Sequence, residues 1–184
     1  FLQESRAYSE VVPRLASAGH RVPERIGEDR GLRVLVLTEV PGRPAPERDV
    51  AVHAQAGEVA AALHAIPLVD VDPMSIFEVL QARVAEWSDE SRDRVDAGTL
   101  ARVTDELADP AVFAGATRSW CHRDWSPRNW LVDDQGRFGS IDFEHCGPDL
   151  WLVDLLKLAD GVWRGFPETR AAFYQGYGRV PDGR

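Results

Sequence analysis

The sequence predicts an α+β fold in which a mostly helical region accompanies a short β-hairpin, and three observations support that class. Apolar residues recur at helical spacing in several segments of the first two-thirds of the chain. The run LRVLVLTEVPG at 32–42 is rich in β-branched residues, which is typical of a strand. After residue 117 the pattern changes to short strands around the turn sequence DQGR. The chain therefore combines helices with short antiparallel strands, as α+β folds do.

The N-terminal elements are a predicted helix and a predicted strand. The helix covers 2–18, and Pro13 within it predicts a kink or break near Val12. The run at 32–42 predicts a buried strand that ends at a Pro-Gly pair. The polar, proline-containing segment 44–49 predicts a connecting loop.

The middle of the chain is predicted to be helical. Asp49 is a favourable N-cap for a helix over 50–65, which a proline then ends. Further helices are predicted near 75–87 and 98–108. The change in composition across 42–49 predicts a boundary between a small upstream part and a larger downstream part.

Composition and charge exclude several classes of function. The 184 residues carry a net charge of −9, and phosphate contacts in general nucleic-acid binders need a basic surface. The longest apolar runs are far too short to span a bilayer, and no signal peptide is visible, so we expect no membrane partner. Two cysteines form no disulfide framework, so a cytoplasmic location is expected. The oligomeric state stays open.

The two strands around the DQGR turn set the geometry of a candidate site. A connecting loop of two or four residues would place Asn129 directly opposite Asp142, with their Cβ atoms roughly 5 Å apart. A three-residue loop would place Ile141 there and turn Asp142 to the other face. The first two alternatives bring an amide oxygen and a carboxylate together, which is a site for a hard cation such as Mg²⁺.

A third polar residue, Asp124, precedes Asn129 by five positions in a predicted loop. From there its carboxylate could accept a proton from a substrate hydroxyl. Phosphoryl transfer requires metal ligands, charge stabilisation and an oriented nucleophile rather than covalent chemistry by the protein. The three residues favour that reaction. His122 is expected to shape the loop by hydrogen bonding.

These residues carry a resemblance to kinases. HRDWSPRN at 122–129 resembles the kinase catalytic loop His-x-Asp-x-x-x-x-Asn, and IDFE at 141–144 resembles the metal-binding Asp-Phe-Gly segment. Pro127, the short hairpin and the Asp-aromatic-Glu ending are similar to the aminoglycoside phosphotransferase and choline kinase family rather than to protein kinases. Three further stretches resemble the same family in the right order: LVLTEVPGRP (35–44), AGEVAAALHAIP (56–67) and DLLKLAD (154–160).

The resemblance implies a protein-kinase-like fold, with a partial N-terminal lobe at 1–42 and a C-terminal catalytic lobe at 43–184. It implies an enzyme that uses ATP or GTP and Mg²⁺ to phosphorylate a hydroxyl group of a small molecule, such as an aminoglycoside or an amino alcohol. Asp124 would be the catalytic base, and Asn129 and Asp142 would bind magnesium. The other implied roles are nucleotide binding by Glu39, Val40 and Glu4, structural support by His122 and Asp154, and contact with the substrate by Trp125, Ser126 and Glu144.

The chain also departs from the family pattern. It contains no Gly-rich phosphate loop, and no lysine precedes Asp124. The single lysine, Lys157, follows the motif on a predicted helix and is not expected to substitute. Arg123 stands where small-molecule kinases usually carry glycine, and Ser126 stands where many carry histidine. Since the chain begins at Phe1, we expect it to be part of a longer protein. Since it lacks the Gly-rich loop and the preceding lysine, we expect it to be inactive alone.

Alternative interpretations remain open. The chain could be a kinase-like module that binds a nucleotide or a partner without turnover. A protein kinase is a weaker alternative, because the segment after the metal loop is too short to bind a peptide. Zinc binding by the Cys–His pairs at 121–122 and 145–146 is disfavoured, because adjacent strand residues face opposite sides. His64 is expected to be a core residue, and Glu10 is a rival for the role of Glu4.

Overall fold

The computed structural model describes residues 1–69, 76–113, 116 and 118–179. The helices in this part of the chain are α1 (Leu2–Glu10), α2 (Val12–Ser17), α3 (Val50–His64), α4 (Ile76–Ser91), α5 (Ala97–Glu106), α6 (Val153–Asp160), α7 (Val162–Gly165) and α8 (Pro167–Tyr177). The strands are β1 (Arg25–Asp29), β2 (Val34–Leu37), β3 (Arg43–Pro44), β4 (Arg118–Cys121), β5 (Trp130–Val132), β6 (Phe138–Ser140) and β7 (Gly147–Leu150). Single turns of 3₁₀ helix occur at Pro110–Phe113 and Pro127–Asn129.

The chain forms two compact units. The first comprises residues 1–68 and the described residues from 119 onward, and the second comprises the described residues of 69–118. In the second unit, α4 and the end of α5 are joined by Gln81, whose Nε2 donates to the carbonyl of Leu107 over 2.6 Å. The predicted site residues all belong to the first unit. The division predicted after residue 42 stays a prediction.

The break predicted in the N-terminal helix is confirmed. Helix α1 ends at Glu10 and α2 begins at Val12, one residue before Pro13. Proline has no N–H to donate to the preceding turn, but it fits the first turn of a new helix. The two helices therefore form where one continuous amphipathic segment is interrupted by a single proline.

The predicted cap of α3 is also confirmed. The Asp49 side chain accepts hydrogen bonds from the backbone N–H groups of Ala51 and Val52 at 2.9 and 3.1 Å. Such a cap satisfies donors that have no partner inside the helix. Helices α4 and α5 form close to the ranges predicted for them, although residue 75 lies outside the described residues.

Strand β2 forms within the predicted run, but the prediction that it is buried is wrong. It pairs antiparallel with β1 in a two-stranded sheet, and Val34 and Val36 are 45% and 50% exposed. A two-stranded ribbon offers little surface against which a strand can bury both faces. The sequence did not predict β1, because RIGED has no alternation of apolar and polar residues.

The predicted hairpin is present, and its register is that of the three-residue loop rather than that of the two- or four-residue loop. In the sheet β3-β5-β6, Trp130 pairs with Ser140, and the next pair outward is Asn129 with Ile141, whose N–H donates to the Asn129 carbonyl over 3.0 Å. The prediction that Asn129 lies directly opposite Asp142 is therefore wrong. Asp142 follows the paired residues and has a φ of 68°.

The register follows from the turn that Asp133 organises between β5 and β6. Its Oδ1 accepts the backbone N–H groups of Gln135 and Arg137 at 3.0 and 2.9 Å, and its Oδ2 accepts the Nε–H of Arg137 at 2.8 Å. Gly136 adopts a left-handed φ of 75°, which glycine allows at little cost. Aspartate bonds that reach two residues onward stabilise turns, and this one gives the connection an odd number of residues.

Two apolar clusters form the core of the first unit. One packs α3, α6 and α8 around the β5–β6 hairpin and includes Trp125. The other packs α1 and α2 against the segment after β6 and includes Tyr8 and Phe143. Within the part of the chain that the structure describes, every helix is too short or too polar to span a membrane.

Helices α3 and α8 approach each other at two glycines. A Cβ atom added to Gly57 would lie 2.1 Å from the Phe173 carbonyl oxygen, and one added to Gly176 would lie 1.9 Å from that of Ala54. No side chain fits at either distance, so the two backbones are in direct contact. This helix pair forms a rigid base for the first cluster.

Candidate active site

The loop after β4 is held by one buried carboxylate on α6. Asp154 is 1% exposed, and its two oxygens accept the backbone N–H groups of His122 at 2.8 Å and Arg123 at 2.5 Å. Its Oδ2 also pairs with Nε2 of His64 at 3.0 Å, and Nδ1 of that ring pairs with the Tyr177 hydroxyl at 2.7 Å. His64 is therefore engaged on both nitrogens, as expected for a core residue.

Arg123 adopts a left-handed conformation with a φ of 64°. Glycine adopts that conformation more readily than arginine does. The arginine is held there by the Asp154 carboxylate, by Asp149 at 3.0 Å from Nε, and by the Pro148 carbonyl at 2.8 Å. Contacts from β7 and α6 thus compensate for the missing glycine.

His122 connects the loop at 122–129 to the segment after β6. It is fully buried, and its Nε2 lies 3.0 Å from the Ile141 carbonyl, which can only accept, so Nε2 carries the proton. Its ring packs against Trp125 and Phe143, with centroids 5.3 and 4.8 Å away. Burial lowers the pKa of His122 and favours the neutral ring. These contacts link the two core clusters.

Asp124 is the buried acid of the loop, with only 2% of its surface exposed. Its Oδ1 contacts Nζ of Lys157, and its Oδ2 contacts the guanidinium group of Arg128. Burial alone would raise the pKa of Asp124, but the hydrogen bonds from Lys157 and Arg128 prevail and lower it. A carboxylate has about four lone-pair sites, so an ionised Asp124 can still accept a proton from a substrate.

Asn129 and Asp142 offer oxygen ligands of the kind that a hard cation requires. Asn129 is 5% exposed, and its Nδ2 donates to the Asp124 carbonyl at 2.9 Å, which leaves Oδ1 without a hydrogen bond among the described residues. Asp142 is exposed and forms no hydrogen bond within the described part of the chain. These donors fit Mg²⁺, which binds few protein oxygens and keeps several waters.

Arg128 lies among three carboxylates. The pKa of Arg128 is raised chiefly by Asp124, and further by the negative charges of Asp142 and Glu144. The charge of this guanidinium group therefore interacts with the predicted base, Asp124, and with the acidic residues after β6. Asp124 and Asp142 thus both act on the charge of one guanidinium group.

The three residues predicted to contact the substrate differ in exposure. Trp125 is 1% exposed and packs against Trp130 and Phe138, so the expectation that it faces the substrate is wrong. Ser126 is 8% exposed, and its buried Oγ has no hydrogen-bond partner among the described residues. Glu144 is exposed and pairs with His145 at 3.1 Å. Of the three, Glu144 is accessible to a ligand.

The residues predicted to bind nucleotide lie on two elements. Glu39 and Val40 follow β2, adjoin a cavity of about 390 Å³, and make no backbone hydrogen bond within the described residues. Glu4 lies on α1. Burial raises the pKa of Tyr8, and the charges of Glu4 and Asp142 add to that effect, so both carboxylates approach the same side chain.

Comparison with known proteins places the chain in a family. The sequence signature described as "Phosphotransferase enzyme family" matches residues 2–184, which is almost the whole chain. The chain belongs to the phosphotransferase enzyme family. No curated protein sequence matches it. Membership agrees with the resemblance that the catalytic-loop motif carries.

Solved structures of several phosphotransferases share the fold. An aminoglycoside-3'-phosphotransferase of type VIII is 27% identical, with a TM-score of 0.62 over 100% of this chain and 75% of its own. An aminoglycoside phosphotransferase from Streptomyces rimosus, in complex with ADP and streptomycin, is 20% identical, with a TM-score of 0.62 over 97% and 77%. A choline/ethanolamine kinase family protein from Mesorhizobium loti is 20% identical, with a TM-score of 0.70 over 96% and 62%.

This member of the phosphotransferase enzyme family has two site residues that the sequence analysis missed. Lys157 and Arg128 both contact the Asp124 carboxylate. A signal for Lys157 was available: it stands three positions after Asp154 on α6, and residues at that spacing share a helix face. Arg128 stands four positions after Asp124 in an irregular loop, where spacing predicts no contact.

Proposed function

We propose that the protein is an ATP-dependent O-phosphotransferase that acts on a hydroxyl group of a small molecule. One observation carries the proposal: Asp124 is a buried carboxylate, fixed in a loop whose Asn129 side chain bonds to its backbone. This arrangement suits a general base beside a metal-bound phosphate.

Asp124 would accept the proton of the acceptor hydroxyl as the oxygen attacks the γ-phosphorus of the nucleotide. The new bond joins the acceptor oxygen to phosphorus, and the bond from phosphorus to the β-phosphate oxygen breaks. Because the loop is braced by Asp154, the carboxylate is positioned before the acceptor arrives. Positioning of this kind supplies much of the catalysis in phosphoryl transfer.

Asn129 Oδ1 and the Asp142 carboxylate would hold Mg²⁺, since both are free of hydrogen bonds among the described residues. When bound, magnesium neutralises charge on the phosphate oxygens. The residues of the chain itself would orient the site: Asn129 through its bond to Asp124, and His122 through its bond to Ile141.

For nucleotide binding we propose the segment after β2. The free backbone groups of Glu39 and Val40 suit recognition of a purine edge, and the proposal covers ATP or GTP. The structure from Streptomyces rimosus contains ADP, which supports a nucleotide site in this fold. Glu4 would pair with a phosphate-binding cation.

The acceptor is proposed to be an amine-bearing alcohol, either aminoglycoside-like or an amino alcohol. The net charge of −9 and the exposed Glu144 favour a cationic acceptor. Related structures are described as enzymes for aminoglycosides and choline or ethanolamine. A nucleic-acid or membrane partner is not part of the proposal, and the cytoplasmic location stays a prediction.

The test is acceptor-dependent ADP release by the full-length protein. Mg·ATP and Mg·GTP are supplied with aminoglycosides, macrolides, choline, amino alcohols and sugars in turn, and nucleotide binding is measured in parallel by calorimetry. We expect release of nucleoside diphosphate with at least one amine-bearing acceptor. Binding of nucleotide without release for any acceptor would contradict the enzyme and favour a binding module.

A further inference from the structure

Helix α6 presents two charged side chains to the catalytic loop, one turn apart. Asp154 accepts backbone N–H groups of the loop, and Lys157 reaches the carboxylate of Asp124. Leu155 and Leu158 of the same helix are buried in the first core cluster. Lys157 therefore extends from a helix that is anchored both to the loop and to the core.

The side chain of Lys157 is half exposed, but its ion-pair partner, Asp124, is buried. Its side chain is 50% exposed, whereas that of Asp124 is 2% exposed. It is the one lysine among the 21 lysine and arginine residues of the sequence. An ammonium group is a compact charge with three donors, so it can bind a carboxylate and a second anion at the same time.

The position of the base limits where the second anion can lie. A general base must lie about 2.6–3.2 Å from the hydroxyl oxygen whose proton it accepts. In a reactive geometry that oxygen lies about 3–3.5 Å from the phosphorus that it attacks. The transferred phosphoryl group therefore lies on the order of 6 Å from the Asp124 carboxylate, within reach of a flexible ammonium that touches the same carboxylate.

Resting on the proposed function, we propose that Lys157 is a catalytic residue that contacts the transferred phosphoryl group while it stays bound to Asp124. The acceptor proton moves to Asp124, the acceptor oxygen bonds to phosphorus, and the bond to the β-phosphate oxygen breaks. Lys157 keeps its proton throughout and stabilises the charge on the phosphoryl oxygens. Fixed charges of this kind act most strongly in the transition state.

Arg128 contacts the same carboxylate but is less suited to this role. Its side chain is 66% exposed, and its charge is shared among Asp124, Asp142 and Glu144. It also extends from the loop itself rather than from a core helix. Asp124 is the one hydrogen-bond partner of the Lys157 ammonium group among the described residues, so the remaining donors of that group are available to a phosphate.

The test uses the full-length protein and a probe that needs no identified acceptor. Calorimetry measures the affinity for Mg·ADP alone and for Mg·ADP with aluminium fluoride, which mimics the phosphoryl group in transfer. We expect Lys157→Met to weaken binding of the aluminium fluoride complex about 100-fold and leave Mg·ADP affinity unchanged. Lys157→Arg should restore most of the loss, and Lys157→Gln provides a second neutral variant if the first fails to fold.

Two controls separate a direct contact from an indirect effect. Arg164→Met removes an exposed cation that pairs with Asp160 rather than with Asp124. It should change neither affinity. In an Asp124→Asn background, Lys157→Met should still weaken binding of the aluminium fluoride complex. Disappearance of the loss in that background would show that Lys157 acts only through Asp124 and would overturn the assignment.

The outcomes distinguish this inference from the proposed function. A wild-type protein that binds both probes, with equal affinities in Lys157→Met, would overturn the role of Lys157 and leave the proposed function standing. A wild-type protein that binds neither probe would overturn both. Loss confined to the aluminium fluoride complex would support both.

Discussion

The two segments that carry the candidate acids, Asp124 and Asp142, are held in different ways. The loop at 122–129 carries Asp124 buried, with its backbone fixed by Asp154 and its aromatic neighbour Trp125 in the first core cluster. The segment at 141–146 carries Asp142 exposed at a φ of 68°, with Phe143 in the second cluster. The comparison shows that Asp124 is held by direct contacts to its side chain, whereas Asp142 is positioned through its neighbours.

The largest loss of stability should follow removal of Asp154, which braces the backbone of the first segment. Asp154→Ala leaves the N–H groups of His122 and Arg123 and the His64 ring without their buried acceptor. We expect the free energy of unfolding to fall by about 3–5 kcal/mol in urea denaturation. Asp160→Ala removes an exposed acid of the same helix and is the matched control. An equal effect of the two variants would contradict the brace.

Next in size is the loss of the exposed acid in the second segment. Asp142→Ala should weaken binding of Mg·ATP at least about tenfold, which is about 1.4 kcal/mol, because it removes a charged metal ligand. Its melting temperature should stay close to wild type, since the side chain is exposed. Calorimetry measures the affinity. Glu144→Ala should leave nucleotide affinity intact, and unchanged affinity in Asp142→Ala would rule out this metal site.

Removing the hydrogen bond by which His122 links the two segments should have a moderate effect on stability and turnover. His122→Phe keeps an aromatic ring between Trp125 and Phe143 but leaves the partly buried Ile141 carbonyl unpaired. We expect a loss of about 1–3 kcal/mol in stability and a lower kcat at saturating nucleotide. Thermal unfolding and steady-state kinetics measure the two quantities. Wild-type values for both would show that the segments are positioned independently.

The smallest effect concerns the turn before the second segment. Hydrogen bonds from the Arg137 backbone and side chain lower the pKa of Asp133 to about 2. Because the folded pKa lies below the unfolded value of about 3.9, this contribution to stability is complete above about pH 5 and is lost as the pH falls through 2. The melting temperature of the wild type should therefore fall more steeply over that range than that of Asp133→Ala. Parallel curves would contradict the assignment.

The sequence predicted correctly those features of the fold that depend only on neighbouring residues. The N-cap at Asp49 and the break before Pro13 depend on a few neighbouring residues, and both were predicted correctly. The burial of β2 and the hairpin register depend on partners and side-chain bonds that spacing does not encode. In particular, the Asp133 turn displaced Asp142 from its expected partner.

The same distinction applies to the candidate site. The motif predicted that Asp124 and Asn129 belong to one site, and the structure joins them by a hydrogen bond. The contact between Lys157 and Asp124 spans 33 positions and requires the docking of α6, which no pattern within the motif reveals. Trp125 was wrongly predicted to face the substrate because its position in the loop does not indicate whether its side chain points into the core or toward solvent.

The most direct test of the central claim is the turnover of Asp124→Asn in the full-length protein. The substitution keeps the size of the side chain and removes the proton acceptor. Removal of a general base typically lowers the rate by about 10²–10⁴-fold, and we expect a fall of that size in kcat for acceptor-dependent ADP release. Affinity for Mg·ATP, measured by calorimetry, should stay close to wild type. Turnover near the wild-type rate would contradict the assignment of Asp124 as the base.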